Sequence, residues 1–140
     1  MALIDSLRIK NFKGLEEVEI PLESNVVFVG PNNSGKTTAL QALALWHLGA
    51  KKWLEKRGAG RVPKKRPGVT INRRDLITIP TPSAILLWRD LHVRRSSQVE
   101  AVRGTKNISI EIAATGTSGG TSWSCDLEFD YANEESLYCR

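Results

Sequence analysis

Nine consecutive residues have the types and spacing to do chemistry: Gly30-Pro31-Asn32-Asn33-Ser34-Gly35-Lys36-Thr37-Thr38. They fit the pattern G-x-x-x-x-G-K-[ST] in full, the pattern of a phosphate-binding loop. Gly30 and Gly35 let the backbone bend where a Cβ would obstruct, so consecutive N–H groups from Asn33 to Thr38, Ser34 included, can converge on one concavity. If a helix starts where the loop ends, its unpaired N–H groups and its dipole favour the α- and β-phosphates of a nucleotide. Lys36 would reach the β- and γ-phosphates as a point charge, and Thr37 would set its hydroxyl on Mg²⁺ as the candidate metal ligand.

Such a loop acts only between a buried strand and the helix that opens out of it. Val26-Val27-Phe28-Val29 are β-branched or aromatic without a break, which predicts a parallel strand covered on both faces. Residues 39–48 are almost all apolar. They predict a helix buried all round, ended by Gly49 with Lys51 and Lys52 behind it. Upstream, Leu7 and Ile9 alternate with Arg8 and Lys10, and Val18, Ile20 and Leu22 with Glu17, Glu19 and Pro21. That alternation predicts two half-buried antiparallel strands joined around Lys13-Gly14.

Ile4-Asp5-Ser6-Leu7-Arg8-Ile9-Lys10-Asn11-Phe12-Lys13-Gly14, followed by the run from Val26 through the loop to Leu40, resembles the start of the ABC-type AAA ATPase heads of the SMC, RecF and OLD group. The likeness covers residues 3–48. It implies that the nucleotide is ATP, that Asn32 and residues 35–38 wrap its phosphates, that Thr37 ligates magnesium, and that the turn from Asn11 to Lys13 lies near the nucleotide. The family's glutamine loop, signature, Walker B Asp-Glu and switch His lie further along than this sequence extends. The resemblance therefore implies an incomplete ATPase head, with the complementary C-terminal half or a second copy as partner, serving DNA repair, DNA maintenance or phage defence.

Between Lys51 and Gly68, glycines, prolines and eight basic residues predict an exposed insertion, continuing to residue 82. It reads either as a solvated charge run or as a phosphate-backbone contact for DNA. Ser83, after Pro80-Thr81-Pro82, predicts the cap of a helix from Ala84 to about Arg95 with Leu87, Trp88 and Leu91 inward, within a segment 83–103. In 104–140, Ile108, Ile110 and Ile112, then Trp123, Cys125, Leu127 and Phe129, alternate with polar residues. They predict a hairpin turning within 115–121 and a further strand from Leu137, which resembles the antiparallel lobe beside the ATP-binding core of such heads.

Four imitations are set aside. Ile85-Leu86-Leu87-Trp88 before Asp90 mimics a strand ending in a magnesium-holding Asp, but Arg89 interrupts it and no Glu follows. Ser118-Gly119-Gly120 mimics the ABC signature, yet the period after Gly120 is two and no helix can open there. Gln98 precedes the hairpin strands, whereas the family's glutamine loop follows them. His47 and His92 sit in apolar surroundings and are read as packing residues, so no catalytic residue is assigned.

At 140 residues, 41% hydrophobic and 25% charged, the chain is one domain able to bury a core. No run approaches the ~18 apolar residues of a membrane span, and the N-terminus lacks a signal-peptide pattern. The cytoplasm is the expected compartment, with no membrane partner. Cys125 and Cys139 make neither a metal spacing nor a disulfide framework and predict buried thiols. The net charge of +5 is uneven: residues 51–103 carry fourteen Lys/Arg against four Asp/Glu. The expected fold class is α/β, a P-loop NTPase core of strand, loop and buried helix with an adjoining antiparallel β lobe and about five or six strands in all. The expected function is ATP binding, with ATP hydrolysis only on completion by a C-terminal half. The alternative is a nucleic-acid-binding module that uses basic residues 51–74 beside a vestigial loop. A small-molecule kinase ranks behind both, since no Arg-rich lid follows a core strand. The strand-like ending Tyr138-Cys139-Arg140 predicts the N-terminal part of a longer ATPase.

Overall fold

The computed structural model describes residues 2–23, 25–31, 34–58, 68–99 and 102–140, with backbone alone for 2, 97–99, 102 and 103. In chain order the elements are β1 (Ala2–Phe12), β2 (Leu15–Pro21), α1 (Lys36–Arg57), β3 (Val69–Asn72), β4 (Arg94–Val99), β5 (Val102–Asn107), β6 (Ile110–Ser118), β7 (Thr121–Asn133) and β8 (Ser136–Cys139). Short 3₁₀ turns lie at Arg73–Asp75, Ala84–Leu87 and Arg89–Leu91. Six strands form one antiparallel sheet in the order β2-β1-β6-β7-β8-β3, and β4 and β5 form a separate two-stranded ribbon. The class is mixed α/β, with a mostly antiparallel sheet and one α-helix among the described residues.

Register explains the core. Ile9 stands opposite Ile112 and Ile112 opposite Leu127, while Phe129 stands opposite Cys139 and Cys139 opposite Val69. The period-2 alternation of each strand thus places its apolar set on one shared face. All of these residues are buried, and α1 lies against them through Ala39, Ala42, Leu45 and Gly49. That spacing is a single stripe of small or branched residues, so the helix comes close to the sheet. Trp46 fixes its flank by donating its indole N–H to the Cys125 carbonyl at 3.0 Å and stacking on Trp123.

Several expectations need correction. Residues 26–29 form no strand: Val27 is 81% and Val29 88% exposed. A parallel strand needs a neighbour, and every described strand is already engaged in the antiparallel sheet or the ribbon. The helix is not buried all round, since Leu40 and His47 are exposed, and it does not end at Gly49. It stops at Gly58, which has a φ of 73° and donates its N–H to the Leu54 carbonyl at 2.8 Å, behind Lys56 and Arg57 in the last turn. Gly49 is instead a packing residue: a Cβ there would lie 2.9 Å from the Phe129 ring and from the Cys139 sulfur.

The described parts of 51–82 are built into the fold, while residues 59–67 lie outside the described residues. Residues 51–57 extend α1, β3 closes one edge of the sheet, and Val69, Ile71, Leu76 and Ile79 join the core. The basic residues Arg61, Lys64, Lys65 and Arg66 of the 51–74 segment lie outside the described residues.

The helix expected over 84–95 is absent. Trp88 is extended and Asp90 and Leu91 have φ of 52° and 58°, so two 3₁₀ turns stand where one helix was expected, and Arg94 and Arg95 begin β4. Tertiary contacts override the local propensity. The buried Trp88 bridges to Phe12 and donates its indole N–H to the Ile108 carbonyl at 2.7 Å, while the Lys13 N–H bonds the Leu87 carbonyl at 2.9 Å. Leu91 faces solvent.

The β6–β7 hairpin forms as expected, with Gly119 and Gly120 at φ of 57° and 81° making the two-residue turn. The antiparallel strands are continuous with the β1–β2 pair rather than a lobe set beside it. β8 follows from residue 136, and Arg140 beyond it pairs with Glu128 at 2.8 Å and with the buried Asp130 at 2.5 Å. Cys139 is buried and Cys125 half-buried, with no disulfide between them. No helix among the described residues is long and apolar enough to cross a membrane.

Candidate functional site

Gly35 holds the loop–helix junction. Its φ of 85° and ψ of 10° lie in the left-handed region that glycine enters without a Cβ penalty, and α1 starts at the next residue. The first intrahelical bond runs from the Ala39 N–H to the Gly35 carbonyl at 2.9 Å. Among the described residues no side chain caps this end of the helix, and no acidic residue sits in its first turn. The N–H groups of Lys36, Thr37 and Thr38 are thus left for an outside acceptor, at the positive end of the helix dipole.

Upstream the loop folds on itself. Ser34 donates both its backbone N–H and its hydroxyl to the Pro31 carbonyl, at 3.0 and 2.8 Å. A Cβ at position 30 would come within 2.7 Å of the Ser34 hydroxyl oxygen, so a glycine is required for this close approach. The Lys36 ammonium donates to the carbonyls of Gly30 and Pro31, the latter at 3.2 Å. The cation therefore sits at the loop's mouth on neutral carbonyls, from which an anionic oxygen can draw it.

An open cleft of about 320 Å³ lies here, lined by Gly14, Leu15 and residues 34–38. The structure thereby brings the β1–β2 turn to the loop. Gly14 and Leu15 form the opposite wall, and a Cβ on Gly35 would meet Leu15 Cδ2 at 3.3 Å. Lys13, in the same turn with φ of 50°, donates from Nζ to Gln41 Oε1 at 2.6 Å on the second turn of α1. Its half-burial lowers its pKa from the ordinary lysine value. Gly14, Leu15 and Gln41 carry no signal of their own in the sequence; only the resemblance, which puts the preceding turn near the nucleotide, points at them.

Of the expected site residues, Ser34, Gly35, Lys36, Thr37 and Thr38 line one opening and Gly30 is tied to it through the Lys36 ammonium, while Asn32 and Asn33 lie outside the described residues. Thr37 is exposed on the first turn, where a hydroxyl can reach a cation held between phosphates. Among the described residues no carboxylate lines the cleft. Asp90, the residue of the imitated magnesium strand, instead lies in a different, larger cleft with Asn11, Arg95 and Lys106, 3.7 Å from Arg89. His47 and His92 are exposed, so neither is the packing residue that its apolar surroundings suggested. Gln98 belongs to the ribbon, opposite Arg103.

The donor set fits a phosphate chain: unpaired N–H groups on a helix end, an adjacent ammonium and no competing carboxylate. For magnesium it supplies one hydroxyl and leaves the remaining positions to water and phosphate oxygens, as this ion commonly binds.

Comparison with known proteins agrees. The profile of a family described as the AAA ATPase domain matches residues 3–112. The OLD nuclease of Thermus scotoductus is 44% identical over 43 residues, a stretch that makes up 31% of this chain and 8% of that protein. The expected resemblance to the ATPase heads of the SMC, RecF and OLD group is borne out at this level.

Proposed function

Because this chain belongs to the AAA ATPase domain family, we propose that its 30–38 loop binds ATP with Mg²⁺, as the N-terminal part of a head of the OLD and SMC kind. One observation carries the reading: an uncapped, carboxylate-free helix start behind a left-handed Gly35, with the Lys36 ammonium at the mouth of the same cleft. In this role Gly30 and Gly35 would shape the loop and the N–H groups of residues 36–38 would receive the α- and β-phosphates, with Asn32 and Asn33 completing the wrap. Lys36, now on the Gly30 and Pro31 carbonyls, would neutralise the β- and γ-phosphates, and Thr37 would offer its hydroxyl to the metal. Bound magnesium supplies charge neutralisation between the phosphates.

Hydrolysis requires an acidic residue in the metal shell and a group that positions water. Both are assigned to a complementary C-terminal half or second copy, which would cover the exposed Val26, Val27, Val29 and Leu40. The assembly would work in the cytoplasm on DNA repair, DNA maintenance or phage defence.

Calorimetric titration with ATP and Mg²⁺ at moderate salt, on this chain and on Lys36→Ala, tests the reading. Saturable binding that the substitution removes is expected, with no steady turnover. A folded protein that binds no ATP would refute the site, and steady hydrolysis abolished by Lys36→Ala would refute the need for another half.

A further inference from the structure

Among the described residues, four other than glycine have a left-handed backbone, and they fall in two segments that touch. Asn11 and Lys13, with φ of 59° and 50°, belong to the β1–β2 turn, while Asp90 and Leu91, with φ of 52° and 58°, belong to the 3₁₀ turn at Arg89–Leu91. A residue with a Cβ keeps such a conformation only where its surroundings over-determine it. Contacts between the two segments do this. Phe12 bridges to Trp88, the Lys13 N–H bonds the Leu87 carbonyl at 2.9 Å, and Arg89 Nη1 donates to the Gly14 carbonyl at 3.0 Å. Asn11 is tied separately, through Nδ2 to the Ser109 carbonyl at 3.1 Å.

Of these bonds, the one from Arg89 is the one that reaches a residue of the loop's cleft. Gly14 lines that cleft with Leu15, and Leu15 packs beside Gly35. Gly14 has no side chain to anchor it, and a Cβ built on it would meet nothing within 4 Å. The orientation of its peptide therefore leans on the partner of its carbonyl. Arg89 lines the larger cleft behind the turn and not the loop's cleft, so it holds the wall from outside. Ion pairs with Glu16 at 3.8 Å and Asp90 at 3.7 Å keep the guanidinium in place. Its bond to the carbonyl is charge-assisted, which makes it one of the stronger kind.

We propose that Arg89 is a positioning residue for nucleotide binding, fixing the wall of Gly14 and Leu15 through the Gly14 carbonyl. The inference rests on the reading of the 30–38 loop as a nucleotide site and adds to it a residue from a distant part of the chain. The wall serves one part of the ligand. Residues 34–38 offer N–H groups, hydroxyls and the Lys36 ammonium, which suit phosphates, whereas Leu15 is the one wholly apolar side chain among the described lining residues. Such a surface gives a phosphate nothing, but it gives a sugar or a base dispersion contact and cover from water. Arg89 therefore acts on the nucleoside end, and the phosphates are held without it.

The test compares calorimetric affinities for ATP and for inorganic tripolyphosphate, each with Mg²⁺, in the wild type, Arg89→Met and Arg89→Lys. Methionine keeps the apolar stem and loses the donors, while lysine keeps a donor and the charge. Arg89→Met is expected to weaken ATP by about tenfold, by lowering the fraction of molecules with the wall in place, and to leave tripolyphosphate within about twofold. Arg89→Lys should recover most of the ATP affinity. An Arg89 that acted only as a remote charge would weaken tripolyphosphate, the more highly charged ligand, at least as much as ATP. That result would overturn the proposal, as would unchanged ATP affinity in Arg89→Met. Loss of both ligands together with the cooperative melt would make Arg89 a residue of the fold rather than of the wall, and would overturn it too. A wild type that binds neither ligand would refute the loop reading and this proposal with it, whereas the other outcomes leave the loop reading standing.

Discussion

Gly49 sits inside the helix that carries the candidate phosphate site, and replacing it by alanine sets two known effects against each other. At an exposed mid-helix position Gly→Ala stabilises by about 1 kcal/mol. Here the added methyl would lie 2.9 Å from two carbons of the Phe129 ring and 2.9 Å from the Cys139 sulfur. Optimal carbon contacts are about 3.5–4.0 Å, so the overlap approaches a full ångström. Phe129 and Cys139 are both fully buried, which leaves the ring no solvent side to swing into. Forcing an extra methyl into a filled core costs about 1–3 kcal/mol. The difference is a destabilisation of about 1 kcal/mol, with the sign opposite to that of an exposed glycine. Urea unfolding followed by tryptophan fluorescence measures it. Phe129→Leu should open room for the methyl, so the double variant should be more stable than the sum of the two singles predicts, by about 1 kcal/mol. Stabilisation of the single variant, together with an additive pair, would mean that α1 does not rest on the sheet at this point.

Other perturbations follow from the same packing. Gly116→Ala would put a Cβ 2.1 Å from the Leu3 carbonyl oxygen and 2.3 Å from the Trp123 ring, and backbone cannot yield as a side chain can. The loss should reach about 3 kcal/mol in urea unfolding, and wild-type stability would refute the Ile4–Gly116 register. Asp130→Asn weakens charge-assisted bonds from Ser109 and Arg140 to a buried carboxylate, and should cost about 2 kcal/mol in the same assay. A neutral outcome would mean that these two bonds contribute nothing to the fold. Burial, with a smaller contribution from Cys125, pushes the Cys139 thiol from 9.0 up to about 12. Below pH 9 its contribution to stability is intact. Above it the unfolded chain loses a proton that the folded chain keeps, so stability falls by about 1.4 kcal/mol per pH unit until pH 12. Comparison of unfolding at pH 9 and 10.5 with that of Cys139→Val, which should lack this component, checks the sign.

Local periodicity made β1, β2, β6, β7 and β8 legible in the sequence, because one face of each is buried and alternation is the direct imprint of that. The same logic hides β4 and β5: a ribbon exposed on both faces needs no alternation, and Arg-Arg-Ser-Ser carries none. Gly49 and Gly58 show a different limit. Both are glycines followed or preceded by lysines in a helical stretch, and only the nearness of Phe129 and Cys139 makes one a packing residue and leaves the other as the cap. The segment around Trp88 reads as helix by its neighbours, yet its indole finds a carbonyl twenty residues downstream and its backbone bridges to Phe12. Contacts across such distances leave no periodic trace. For the loop, Gly30, Gly35, Lys36 and Thr37 were legible because phosphate recognition depends on types at fixed local spacing, whereas Leu15 and Gln41 reach the site through the turn of another hairpin.

The two flanks of the loop are held unequally, and this bears on how tightly it can bind. On one side α1 is seated by Ala39, Ala42, Leu45 and Gly49, and Leu15 packs beside Gly35, so the N–H groups of residues 36–38 are aimed in advance. On the other side, among the described residues, residues 26–29 enter the loop with no neighbouring strand, and Pro31 is tied to Ser34 and Lys36. A ligand that needs both flanks in one arrangement binds with its intrinsic affinity reduced by the fraction of molecules already in it. A strand added beside residues 26–29 would raise that fraction without touching a phosphate, and so would tighten nucleotide binding from a distance. By the same linkage, bound nucleotide would favour the addition of that strand by an equal factor.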